Sequence, residues 1–188
     1  MVPDSIRDFF AASGPVAGAL IGLLFVAISV AAGRLSQDHE GAQLHRIRAV
    51  AALTAFTNTL AVSLLALIPG HKIGPAAIYV GAFGLLFVAA ALVSLVRLHQ
   101  VHWATLRDAL FLLALAVTFV VQLIEGFDIL ARPDNPSAVN TIAILVVVCF
   151  LIGIGRSWEL IGGPSMVFSK EVSALVRDRQ RSEDDQQP

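Results

Sequence analysis

Five stretches of this chain are each continuously apolar over about 20 residues, the length an α-helix needs to cross a hydrocarbon core of roughly 30 Å. They span residues 12–32, 49–68, 75–96, 106–127 and 138–160. A water-soluble domain of 188 residues does not carry five such runs, and the composition agrees, being 56 % hydrophobic and only 14 % charged. Transmembrane β-strands would alternate apolar and polar residues with a period of two, which these runs do not. The expected fold is therefore all-α, an integral membrane bundle of five transmembrane helices.

The prolines fall between the runs. Pro69 and Pro75 bracket one connection, Pro133 and Pro136 another, and Pro164 follows the fifth run. Only Pro15 lies inside a run, near its start, where a missing N–H group is tolerated or the proline marks a bend after residues 3–12. The first run is too long for a signal-peptide core, and Asp4 and Asp8 beside Arg7 make no basic leader, so no cleaved signal is expected.

Lys and Arg resist translocation, so their distribution sets orientation. With five crossings, one side holds Arg34, Arg46, Arg48, Arg97, Arg107, Lys170, Arg177, Arg179 and Arg181, and the other holds Arg7, Lys72 and Arg132. Nine against three places the N-terminus outside and the C-terminus in the cytoplasm. Residues 1–11 read as a short interfacial segment. Phe168, Val172, Leu175 and Val176 recur at helical spacing opposite Lys170, Arg177 and Arg179, which reads as an amphipathic cytoplasmic helix over 164–180. Residues 181–188 are polar and expected to be disordered.

With 13 Lys+Arg against 14 Asp+Glu, the chain lacks the basic field of a nucleic-acid binder. A single cysteine, Cys149, excludes a disulfide framework and a cysteine-based zinc cluster. One word recurs: Gly22-Leu-Leu-Phe-Val-Ala27 and Gly84-Leu-Leu-Phe-Val-Ala89. Polar residues do not repeat at the same offset, which argues against a transporter-like duplication.

Four groups of residues stand out against this apolar background. Gly14, Gly18 and Gly22 are spaced by four and form a face for close helix packing. Thr118, Gln122, Glu125 and Asp128 share one face of the fourth helix, a polar stripe suited either to bonding a neighbouring helix or to the mouth of a cation or proton path. Asn58 falls near the membrane midplane with Thr54 a turn away, and needs a partner such as Gln122 or Thr118. Arg156 and Glu159, one turn apart near the end of the fifth helix, are expected to pair at the inner face. There Arg156 would snorkel and Trp158 anchor at the headgroups, with Arg48, Arg97 and Arg107 offering contact to anionic lipid.

His99 and His102 form an HxxH pair on the side that also holds His39 and His45. No second close pair and no carboxylate cluster accompanies them, so a metal there is weakly indicated and no cofactor is expected. No nucleophile elbow, P-loop or dinucleotide fingerprint is present, and the chain is not expected to be an enzyme.

On the runs Gly18-Ala-Leu-Ile-Gly-Leu-Leu-Phe-Val-Ala-Ile-Ser and Gly155-Arg-Ser-Trp-Glu-Leu-Ile-Gly, the chain resembles small uncharacterised bacterial multi-pass membrane proteins. The resemblance implies a membrane location and a five-helix build, and carries no activity. The leading functional expectation is a structural or regulatory membrane protein acting through helix contacts, including a possible homo-oligomer. The alternative is a small oligomeric channel or transporter using the polar stripe.

Overall fold

The computed structural model describes residues 4–32, 39–68, 73–96, 103–132 and 136–160. They form five α-helices: α1 (Asp4–Ala32), α2 (His39–Leu67), α3 (Ile73–Val96), α4 (Trp103–Ala131) and α5 (Pro136–Leu160). Each is long and apolar enough to cross a membrane. The segments expected at 164–180 and 181–188 lie outside the described residues.

The helices start earlier than the apolar runs. α1 begins at Asp4 because Ile6, Phe9 and Phe10 already present an apolar edge; Phe10 is fully buried beside Val62, Ile73, Ile129 and Ile142. The stretch read as interfacial is thus helical from residue 4, and Pro15 sits inside the helix rather than in its first turn. Its ring leaves the Ala11 carbonyl without a ladder donor. α2 likewise begins at His39, ten residues before the apolar run, carrying Ile47 and Ala51 into the core.

Consecutive helices run in opposite directions. One core cluster gathers the beginning of α1 (Phe10), the end of α2 (Val62), the beginning of α3 (Ile73, Ala77), the end of α4 (Ile129) and the beginning of α5 (Ala138, Ile142). A second gathers the opposite ends: Ile47 and Ala51 of α2, Ala91 and Leu95 of α3, Leu112 and Leu115 of α4, and Ile152 of α5. Leu24 of α1 meets Ala52, Phe56 and Leu160 in a third. α2 is the central element, touching all four other helices, while α1 packs on α2 and α5 and α3 packs most extensively on α4.

The α3–α4 seam shows why these sequences pack. Beside buried Ile73 and Ala76, α3 carries the buried row Gly74, Ala77, Gly81, Gly84, Val88, Ala91 and Leu95; beside buried Thr118, α4 carries the buried row Asp108, Leu112, Leu115, Phe119, Gln122, Gly126 and Ile129. Both follow alternating steps of three and four, the spacing of left-handed helix pairs. Small residues face large ones. A Cβ on Gly84 would sit 2.6 Å from the Phe119 ring, and one on Gly74 would sit 2.9 Å from the Gly126 carbonyl. In lipid, where burial of apolar surface gives helices little reason to associate, such close backbone approach supplies the contact. The perimeter is apolar on every helix, with Leu23, Leu64, Phe83, Leu110 and Leu151 all exposed, a surface matched to acyl chains rather than water.

Candidate functional site

Polar side chains meet inside the bundle at two levels. The first is an amide layer about two-thirds of the way along α2 and α4. The Asn58 Nδ2 group donates to Gln122 Oε1 at 3.0 Å, and Gln122 Nε2 donates back to Asn58 Oδ1 at 3.1 Å. Gln122 Nε2 also donates to the Ala77 carbonyl of α3 at 3.2 Å, and Asn58 Nδ2 to the Cys149 sulfur of α5 at 3.4 Å. Asn58 and Gln122 are 2 % and 1 % exposed, so four helices share one water-excluded layer. Thr59 adds a bond to its own helix, Thr59 Oγ1 donating to the Ala55 carbonyl at 3.2 Å, and reaches the Val146 carbonyl of α5 at 3.5 Å.

The polar stripe read on the fourth helix divides at this layer. Of the two partners suggested for Asn58, Gln122 is the one that meets it. Thr118 is buried and donates to Ala114 of its own helix at 2.9 Å. Glu125 and Asp128 are half-buried, and Asp128 lies 4.0 Å from Arg132, with no convergence on Asn58.

The second level is a charge cluster near the start of α4. Arg156 and Asp108 are both fully buried, and Arg156 Nη1 donates to Asp108 Oδ1 at 2.7 Å and to Glu159 Oε2 at 2.6 Å. Arg48 of α2 approaches the same carboxylate from the other side, its Nε 3.2 Å from both Asp108 oxygens and its Nη2 3.1 Å from Oδ2. Arg107 Nη2 closes the group on Glu159 Oε1 at 2.9 Å. The Arg156 guanidinium lies 4.9 Å from the centre of the Phe111 ring, within cation–π range.

Three guanidinium groups thus surround two carboxylates, leaving a formal excess of one positive charge. Arg156 Nε and Nη2 are buried with no hydrogen-bond partner among the described residues. The expected Arg156–Glu159 pair is present, but Arg156 does not snorkel; it turns into the bundle because Asp108 receives it there. Trp158, at 64 % exposure, faces outward as an anchor would.

Asp108 is the residue that reading the sequence missed. The signal was available: Asp108 stands fourteen residues before Gln122, two steps of seven along the same buried face. It was obscured by its place beside Arg107 at the edge of an apolar run, where charged residues usually reach water.

The glycine face of α1 divides as well. A Cβ on Gly14 would meet Ser63 and Leu64 at 3.8 Å, but one on Gly18 or Gly22 would meet nothing within 4 Å among the described residues. Among the described residues, then, that face meets a neighbouring helix at its first glycine. His99 and His102 lie outside the described residues.

These features define a helical protein with five candidate membrane spans, tied internally by one amide layer and one charge cluster. Comparison with protein families, curated proteins and solved structures finds no match.

Proposed function

We propose that the protein is a non-catalytic membrane protein of structural or regulatory type, acting through helix contacts made by α1. It would lie in a bacterial inner membrane with the N-terminus outside and the C-terminus in the cytoplasm. The observation that carries this reading is the contrast among helix glycines. Gly74, Gly84, Gly126 and Gly153 are each filled by a neighbouring helix, whereas Gly18 and Gly22 stand open on the apolar flank of α1 beside exposed Val26. Small residues repeated at a spacing of four let two backbones approach, and a face of this kind is complementary to its own copy. The occupant proposed is α1 of a second chain.

The burial of Asn58 and Gln122 against each other favours this reading over conduction, because the polar groups that would line a path are spent on one another. The test is association in lipid vesicles, read by energy transfer between labelled chains as protein is diluted into lipid. Gly18→Leu and Gly22→Leu are expected to abolish transfer while leaving thermal stability unchanged. Undiminished transfer in both variants counts against the reading.

A further inference from the structure

A groove runs along the lipid-facing seam between α2 and α3. Its upper part, about 530 Å³, is walled by Leu53, Thr57, Ala61, Tyr79 and Phe83; its lower part, about 690 Å³, is walled by Arg46, Ile47, Ala90 and Ser94. Val50 and Phe87 belong to both parts, so the two are continuous. The seam is open because α3 packs more extensively on α4, through its glycines, than on α2. Asn58 also borders the groove, but its amide is turned inward to Gln122 and Cys149.

Arg46 gives the groove a polarity. Arg48, Arg107 and Arg156 are all committed to Asp108 or Glu159, whereas Arg46 is exposed and makes no ion pair among the described residues. From Arg46 to Ala61 the groove follows fifteen residues of helix, about 22 Å at ~1.5 Å per residue. One leaflet of hydrocarbon is about 15 Å deep. The length therefore accommodates a single acyl chain with its headgroup at Arg46, and the aromatic wall of Tyr79, Phe83 and Phe87 supplies its apolar contact.

We propose that this groove is a binding site for one anionic phospholipid, its phosphate held at Arg46 and one acyl chain lying between α2 and α3. The site uses the membrane placement but not the α1 contact, so loss of chain association leaves it standing.

The experiment is native mass spectrometry of the full-length protein in detergent, titrated with dioleoyl phosphatidylglycerol or dioleoyl phosphatidylcholine. The unmodified protein should retain one phosphatidylglycerol about fivefold more strongly than phosphatidylcholine, the worth of one basic residue at a lipid surface. Arg46→Gln should erase that preference. Ala90→Trp, which fills the lower groove, should remove retention of either lipid, whereas Ala89→Trp, exposed on α3 but outside the groove wall, should behave as the unmodified protein does. A preference that survives Arg46→Gln, or equal retention by Ala90→Trp and Ala89→Trp, overturns the proposal. Should Ala90→Trp fail to fold, Arg46→Gln decides alone, since it alters an exposed side chain.

Discussion

Arg156 and Asp108, 48 residues apart, meet at 2.7 Å with neither side chain exposed, and Arg48 holds the other side of the same carboxylate. Removing one member of such a group strands the others. Asp108→Ala is expected to cost about 3–5 kcal/mol, because two guanidinium groups lose their shared partner, and Arg156→Ala a similar amount. The double variant Asp108→Leu with Arg156→Met should recover most of the loss, since an apolar replacement of the pair leaves less charge unsatisfied. Reversible unfolding in mixed micelles measures all three; a double variant as unstable as the sum of the singles would contradict the pairing.

The amide layer should show a measurable but smaller coupling. Asn58→Leu and Gln122→Leu each remove a reciprocal pair of bonds, and a double-mutant cycle is expected to give an interaction energy of about 0.6–2 kcal/mol. Additive losses would mean that the two amides act independently.

Glycines should differ by what faces them. Gly84→Ala drives a Cβ to 2.6 Å from the Phe119 ring, and Gly153→Ala drives one into Phe56, so each is expected to destabilise by about 1–3 kcal/mol. Gly22→Ala enters open space and should leave the stability of the single chain within about 0.5 kcal/mol. Thermal unfolding in the same micelles compares the three.

Orientation is accessible to cysteine labelling. Cys149 is fully buried on α5, so a membrane-impermeant maleimide should leave the native protein unlabelled and no background removal is needed. Asn135→Cys should then react from outside intact cells and Ser36→Cys should not. The reverse pattern would invert the proposed topology.

Permeation is the remaining measurement. Vesicles reconstituted with the protein are expected to be no leakier to protons or potassium than empty ones, and Glu125→Gln to change nothing. A leak that Glu125→Gln reduces would instead support a conducting oligomer lined by the outer part of α4.

Much of this architecture is legible in the residues, for a physical reason: a chain that must satisfy its backbone in lipid has helices as its simple solution, and apolar length counts them. Depth narrows the partner of Asn58 to Gln122 or Thr118, and the packed bundle selects Gln122 because Thr118 bonds to its own helix. What local sequence does not show is which face turns inward. Gly18 and Gly22 read as packing residues, yet a Cβ there would meet nothing among the described residues, whereas Gly84, part of a repeated word with no assigned role, is where α3 receives Phe119. Asp108 went unseen because its burial depends on two arginines distant in sequence, and only the assembled bundle brings Arg48 and Arg156 to it.

That dependence bears on how the protein is made. Arg48 lies in the second helix to be synthesised, Asp108 in the fourth and Arg156 in the last turns of the fifth. Until α5 joins the bundle, Arg48 is the one partner among the described residues left to the Asp108 carboxylate, and α2 lacks one of its main neighbours. A chain lacking residues from 156 onward therefore leaves the Asp108 carboxylate and Arg48 without the guanidinium group that the complete bundle brings to them.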